Sequence, residues 1–173
     1  MPPDGDIKTS LTLPQSIAGG VAYRPVPQFE LELDAVWMQW SSFKELVITL
    51  PDDSTTTTPE NYKDTVSIRV GAEYNLGHSG SIPLSLRAGY IYDPTPIPNT
   101  TVTAQLPDVD RHVLTAGGTF AFTNAYNVSL GLLTVLPAER KTSDEMYMPY
   151  HKGTYGVGAF VASASFNGRF GAK

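Results

Sequence analysis

An all-β, antiparallel up-and-down transmembrane β-barrel is the fold class this sequence predicts, and three observations carry it. Seven segments alternate apolar and polar residues, the links between them run short, long, short, long, short, long, and aromatic residues gather at the short-link end. Alternation with period two makes each segment a strand with two unlike faces. Placing every long loop at one end suits a barrel with short turns on one side of a membrane and long loops on the other; a soluble sandwich has no reason for it. The aromatics Tyr23, Phe29, Tyr74, Phe120, Phe122, Tyr126, Phe166 and Phe170 then form an interfacial girdle.

The chain opens with residues 1–13, which read as loop through Pro2, Pro3 and Gly5, and a meander occupies residues 14–170 before a tail at 171–173. The first strand, residues 14–24, sets Ile17, Gly19, Val21 and Tyr23 against Ser16, Ala18, Gly20 and Ala22, and turns at Pro25 to Gln28. The second, FELELDAVWMQW from Phe29, puts Phe29, Leu31, Leu33, Ala35 and Trp37 on one face and Glu30, Glu32 and Asp34 on the other. Its continuation through Leu46 to Leu50 is predicted because VITL favours extended chain, with Ser41 and Ser42 as a bend. The polar PDDSTTTTPENYK reads as a long loop with a low-complexity threonine run.

The third strand, Asp64 to Asn75, and the fourth, Leu84 to Tyr92, flank the short link LGHSGSIP, and DPTPIPNTTVTAQLPDVD is the second long loop. The fifth strand, Arg111 to Phe122, turns at Thr123 and Asn124 into the sixth, which runs from about Tyr126 to Leu136. A third long loop from Pro137 to about Gly153 leads to the seventh strand, ending at Phe170.

Composition narrows the function. In 173 residues no apolar run approaches the roughly 18 to 20 positions of a membrane helix, which excludes helical spans only. A net charge of -5 without a basic cluster argues against nucleic acid, and the absence of cysteine removes disulfides and thiolate metal sites. No charged segment followed by an apolar one stands at the start, so a membrane address is missing and the chain reads as a fragment. The histidines His78, His112 and His151 lie in or beside three different connections without metal-ligand spacing and read as solvated. Gly77-His78-Ser79-Gly80 lacks the spacing of a nucleophile elbow, so an enzyme is not expected, and no cofactor is.

Several segments resemble the FadL/TodX-type outer-membrane transporters of long-chain fatty acids and other hydrophobic compounds. They are LTLPQSIAGGVAYRP at 11–25, WMQWSSFKEL at 37–46, ENYKDT at 60–65, RAGYIYDPTPIP at 87–98, LPDVDRH at 106–112 and a last strand ending in Phe170. The resemblance implies a fourteen-stranded barrel with an N-terminal hatch and a lateral opening, of which these seven strands are the C-terminal half. It departs at Gly168 and at Gly171-Ala172-Lys173 after the terminal aromatic. It further implies a bacterial outer-membrane location, lipid contact, a hydrophobic small-molecule ligand moving by passive diffusion, and a missing N-terminal half or a second copy as partner. The alternative is a structural or ligand-binding β-domain that transports nothing.

By motif match, the candidate loop residues are Lys63, Asp64, Asp108, Asp110 and Arg111, which read as ion pairs bracing loops rather than as ligand contacts. Counting residues up from the short turns places Asp34, Arg69 and Arg87 at similar height on the lumen face. An Asp34–Arg69 pair with Arg87 beside it is expected, Glu32 being the substitute partner if register slips.

Overall fold

The computed structural model describes residues 4–77, 83–123, 125–146 and 151–171. Ten strands form two antiparallel sheets. β2 (Ser16–Val26), β3 (Phe29–Met38), β6 (Thr65–Asn75), β7 (Leu84–Asp93), β8 (Arg111–Ala121), β9 (Tyr126–Lys141) and β10 (Thr154–Gly168) pair in chain order into a seven-stranded sheet. Its edges are β2 and β10, so the sheet is open rather than a closed barrel.

The smaller sheet replaces two sequence expectations. The second strand does not continue to Leu50: β3 stops at Met38, a 3-10 turn covers Trp40–Ser42, and β4 (Glu45–Thr49) starts afresh. The bend falls at Ser41 and Ser42, where Asp64 accepts the Ser41 amide at 2.9 Å. β4 pairs on one side with β1 (Lys8–Thr9), inside the stretch read as loop, and on the other with β5 (Thr55–Pro59), inside the threonine run. Threonine is β-branched and fits a pleated surface, so a polar run becomes a strand once a partner is available. Pro59 is tolerated because β5 is an edge.

The sixth strand also runs on past Leu136 to Lys141, through Pro137. Val135 faces Ala159 and Ala138 faces Val157, so β9 spends one residue more than β10 and bulges there. The bulge reverses the alternation of β9. Ala138 and Arg140 consequently share the face of Val135, whereas unbroken alternation would turn Arg140 the other way. The link LGHSGSIP lies largely outside the described residues, as do His78, Ser79, Asn124 and Ala172-Lys173.

Register separates the two faces of the large sheet, since residues opposite one another across a strand pair share a face. Val21, Leu33, Val70, Tyr90 and Leu114 form one continuous apolar row, and all are exposed. The opposite face carries Gly20, Asp34, Arg69, Ile91, Val113 and Val135 in one row and Glu30, Glu73, Arg87, Gly117, Gly131 and Ser163 in another. At the short-turn end aromatic side chains meet across strands, Phe29 with Tyr74 at 6.4 Å between ring centres and Tyr126 with Phe166 at 5.9 Å, and Phe120 meets Phe122 at the end of β8 at 5.2 Å.

The buried hydrophobic cluster belongs to the long loops and not to the sheet. Tyr62, Ile97 and Val102 are buried together, with Trp40, Phe43 and Tyr155 packed against them. Tyr62 stands edge-on to Phe43 at 5.0 Å and tilted to Trp40 at 5.9 Å. Such pairs add about 0.5 to 1.5 kcal/mol each beyond their burial. The long connections at residues 39–64 and 94–110 are thereby joined to each other and to Tyr155 of β10 in a cap over the end of the sheet, and the Ser143 amide, donated to the Asn99 carbonyl at 3.0 Å, ties the segment after β9 to it.

Candidate functional site

Alternation places Met38 of β3, Thr65 of β6, Asp93 of β7 and Arg111 of β8 on the same face as Asp34, Arg69, Ile91 and Val113. At that end of the sheet, beneath the loops, lies a cavity of about 710 Å³ lined by these four together with Leu11, Leu13, Trp40, Phe43, Leu46, Ile97 and Leu106. Its wall is mostly hydrocarbon and aromatic. The charged exceptions meet at Arg111, whose Nη2 lies 2.8 Å from Asp93 and whose Nη1 lies 3.5 Å from Asp108.

Of the five loop residues expected to form ion pairs, Arg111 pairs with Asp108, whereas Asp64 and Asp110 accept backbone amides. Thr95 donates its hydroxyl to Asp108 at 2.7 Å and its amide to Asp110 at 2.9 Å. Asp64 holds the 3-10 turn as described. Lys63 takes part through its backbone, donating its amide to Pro96 at 2.9 Å, and lines a separate cleft with Asp110, His112 and Arg140. Sequence reasoning missed Arg140 altogether. The guanidinium donates to Asn99 Oδ1 at 2.5 Å, to the Asp108 carbonyl at 3.1 Å and to the Ile97 carbonyl. A proline inside a strand pattern was the available signal, because it requires a bulge and so changes which face the next residues take.

Lower on the same face, Glu30, Glu32, Asp34, Arg69, Glu73 and Arg87 line a cavity of about 250 Å³. Asp34 and Arg69 stand directly opposite each other, as expected, but no ion pair joins Arg69 to Asp34 or Glu32. The reason lies on β2. Gly20 has no side chain, and the Asp34 carboxylate occupies the space over it, where a Cβ would collide with Oδ1. Arg87 is not at the height of Arg69: it faces Glu73, and its Nε donates to that carboxylate at 2.5 Å and its Nη1 to Thr119 at 2.8 Å. Thr119 continues to Ser129 at 2.9 Å, and Asn167 reaches Asn127 at 3.1 Å, so hydrogen bonds cross the polar end of this face.

Two of the histidines are half-exposed and have partners. His112 lies between Tyr90 and Tyr92, with Nδ1 2.7 Å from the Tyr90 hydroxyl. His151 Nδ1 accepts the Ala104 amide at 3.5 Å. Among the described residues no group of His, Asp or Glu is arranged to hold a metal ion.

Burial around the cap moves two ionisable groups outside the strands. Desolvation raises Glu60 above the ordinary carboxylate range, against the lowering effect of Tyr62. Desolvation, reinforced by the charges of Glu60 and Asp108, pushes Tyr62 up to about 12.

The long-chain fatty acid transport protein of Escherichia coli (strain K12) is 26% identical over 162 residues, which are 93% of this chain and 34% of that protein. The 47 kDa outer membrane protein of Pasteurella multocida is 27% identical over 74% of this chain and 29% of its own length. In fold, the chain matches the crystal structure of a Pseudomonas aeruginosa FadL homologue with a TM-score of 0.66 at 22% identity, covering 88% of this chain and 34% of that one. The chain thus spans about a third of the length of these relatives. The family model for outer membrane protein transport proteins (OMPP1/FadL/TodX) matches residues 4–170. The chain belongs to this family of bacterial outer-membrane β-barrels, its seven strands forming a section of barrel wall.

Proposed function

We propose that the chain forms one side of a passive path for hydrophobic small molecules through the outer membrane. The exposed apolar row meets lipid and the opposite face meets the lumen, so a ligand received beneath the loops travels along a wall screened from the bilayer. The apolar cavity of about 710 Å³ at the loop end of the lumen face carries this reading. A cavity of that size lined by aromatic and aliphatic side chains, with a few polar groups at one end, suits a hydrophobic ligand. The names of the relatives point the same way. On this reading the chain supplies wall and receiving cavity and carries out no catalysis.

The partners we propose are outer-membrane lipid along the apolar row and further strands along β2 and β10. Those strands come from an N-terminal half of the barrel or from a second copy.

Uptake of a hydrophobic tracer by cells whose own family transporter is deleted tests the function. The chain joined to a relative's N-terminal half should restore uptake, and Phe43→Asp together with Leu106→Asp should abolish it at unchanged surface level. Uptake indifferent to both cavity substitutions rejects the path.

A further inference from the structure

From the charges along this path we infer that its ligand is an uncharged hydrophobic molecule and not a carboxylate; this rests on the cavity being the receiving station. Two carboxylates, Asp93 and Asp108, line the upper cavity against one guanidinium, Arg111, and both lie within ion-pair distance of it. A ligand carboxylate would have to displace an aspartate from Arg111 or be buried beside two like charges, and either course costs affinity. The nearby Arg140 offers no substitute, because it lines the neighbouring cleft and not this cavity, with three of its five N–H donors committed to Asn99 and the carbonyls of Ile97 and Asp108. The lower cavity repeats the imbalance, with four carboxylates against the guanidiniums of Arg69 and Arg87. There Arg87 is held by Glu73 and Glu30 by Arg24, which leaves Arg69, among the described residues, as the cavity's one guanidinium without an ion pair, in a space it shares with the carboxylates of Glu32 and Asp34.

A cationic head is disfavoured for a different reason. Asp108 already accepts the Thr95 hydroxyl as well as Arg111, so its charge is shared before a ligand arrives. An ammonium would lose its hydration in a largely apolar chamber without winning an unshared carboxylate. An ester, arene or alkane meets neither penalty. Discrimination thus comes from the groups that repel the wrong ligand.

Photolabelling the chain joined to a relative's N-terminal half in phosphatidylcholine vesicles tests this, with a diazirine-bearing long-chain acid, its methyl ester and the matching amine as probes. At about pH 8, where a free carboxyl is ionised, the ester should label residues 11–14, 40–46 and 105–107 about tenfold more than the acid. Asp93→Asn with Asp108→Asn should bring acid and ester within about threefold of each other. Acidifying the unaltered chain to the carboxyl range, about pH 4 to 5, should narrow the gap without any substitution. Equal or stronger labelling by the acid at the higher pH, or strongest labelling by the amine, overturns the inference while leaving the cavity as receiving station. Labelling of these segments by none of the probes, beyond the level seen in Phe43→Asp, rejects the receiving station and the inference with it.

Discussion

Arg140 and Asn99, 41 residues apart, meet at 2.5 Å through the Arg140 Nε and the Asn99 side-chain carbonyl. The contact ties the end of β9 to the loop that follows β7, and the same guanidinium holds the Ile97 and Asp108 carbonyls. Ile97 is part of the buried cluster with Tyr62 and Val102. One side chain thus fastens the cap to the wall that carries it.

Arg140→Ala should loosen the cap by about 2 to 3 kcal/mol, since three acceptors lose a charged donor. Arg140→Lys should recover little of this, because one ammonium cannot reproduce the planar fork. Limited proteolysis reads the result: cleavage within residues 94–110 should accelerate, while the strands stay protected.

The sheet was legible in the sequence because alternation is a local property, and the pairing of Asp34 opposite Arg69 follows from counting residues up from the turns. The side-chain partnership was not, since the direction Asp34 takes depends on Gly20, a residue on the other neighbouring strand. Arg87 was misplaced for a related reason: stagger between β6 and β7 sets it against Glu73, and a common floor for all turns ignores stagger. Of the loop residues picked out by motif, Asp108 and Arg111 do pair, while Asp64 and Asp110 take backbone amides, a partner that side-chain charge alone does not announce. Arg140 and the threonine strand β5 were hidden because a bulge and a pairing partner, both non-local, decide their roles.

Tyr62 makes the cap sensitive to base. Its hydroxyl is raised from 10.0 to about 12, so the folded cap holds a proton that the unfolded segment gives up earlier. The corresponding stability is fully present below pH 10.0 and is lost as pH rises toward about 12. Tyr62→Phe keeps the ring packing and should flatten this loss, as followed by protease resistance of the loops across that range. Glu60 has the same sign lower on the scale: burial raises its carboxyl, so its contribution is present below the ordinary carboxylate value and is lost as pH rises through the raised one.

On β3, Leu33 and Asp34 are neighbours on opposite faces. Leu33→Arg would place a guanidinium against lipid and should cost on the order of 2 to 4 kcal/mol near the midplane, whereas Asp34→Asn should cost far less. Denaturant titration of the bilayer-inserted chain measures both. Equal losses would mean that the two faces do not meet different solvents.

The open edges predict association. Along the meander β2 and β10 run in the same direction, so a second copy brought alongside by rotation about the membrane normal would pair them in parallel. Antiparallel pairing at both edges takes an odd number of additional strands. Unpaired edge amides cannot be left in hydrocarbon at several kcal/mol each. Purified alone in detergent, the chain should aggregate or oligomerise, and adding a relative's N-terminal half should suppress this. A monodisperse monomer with its own conductance would show that seven strands close unaided.

Cysteine accessibility tests the two-solvent wall most directly, because the chain contains no cysteine of its own. Single cysteines at Val21, Leu33, Val70 and Leu114 on one face, and at Asp34, Arg69, Glu73 and Thr119 on the other, are exposed to a charged, membrane-impermeant maleimide in lipid bilayers. The account predicts rapid labelling of the second group and protection of the first. Labelling of both groups alike, or of the first in preference, would contradict it.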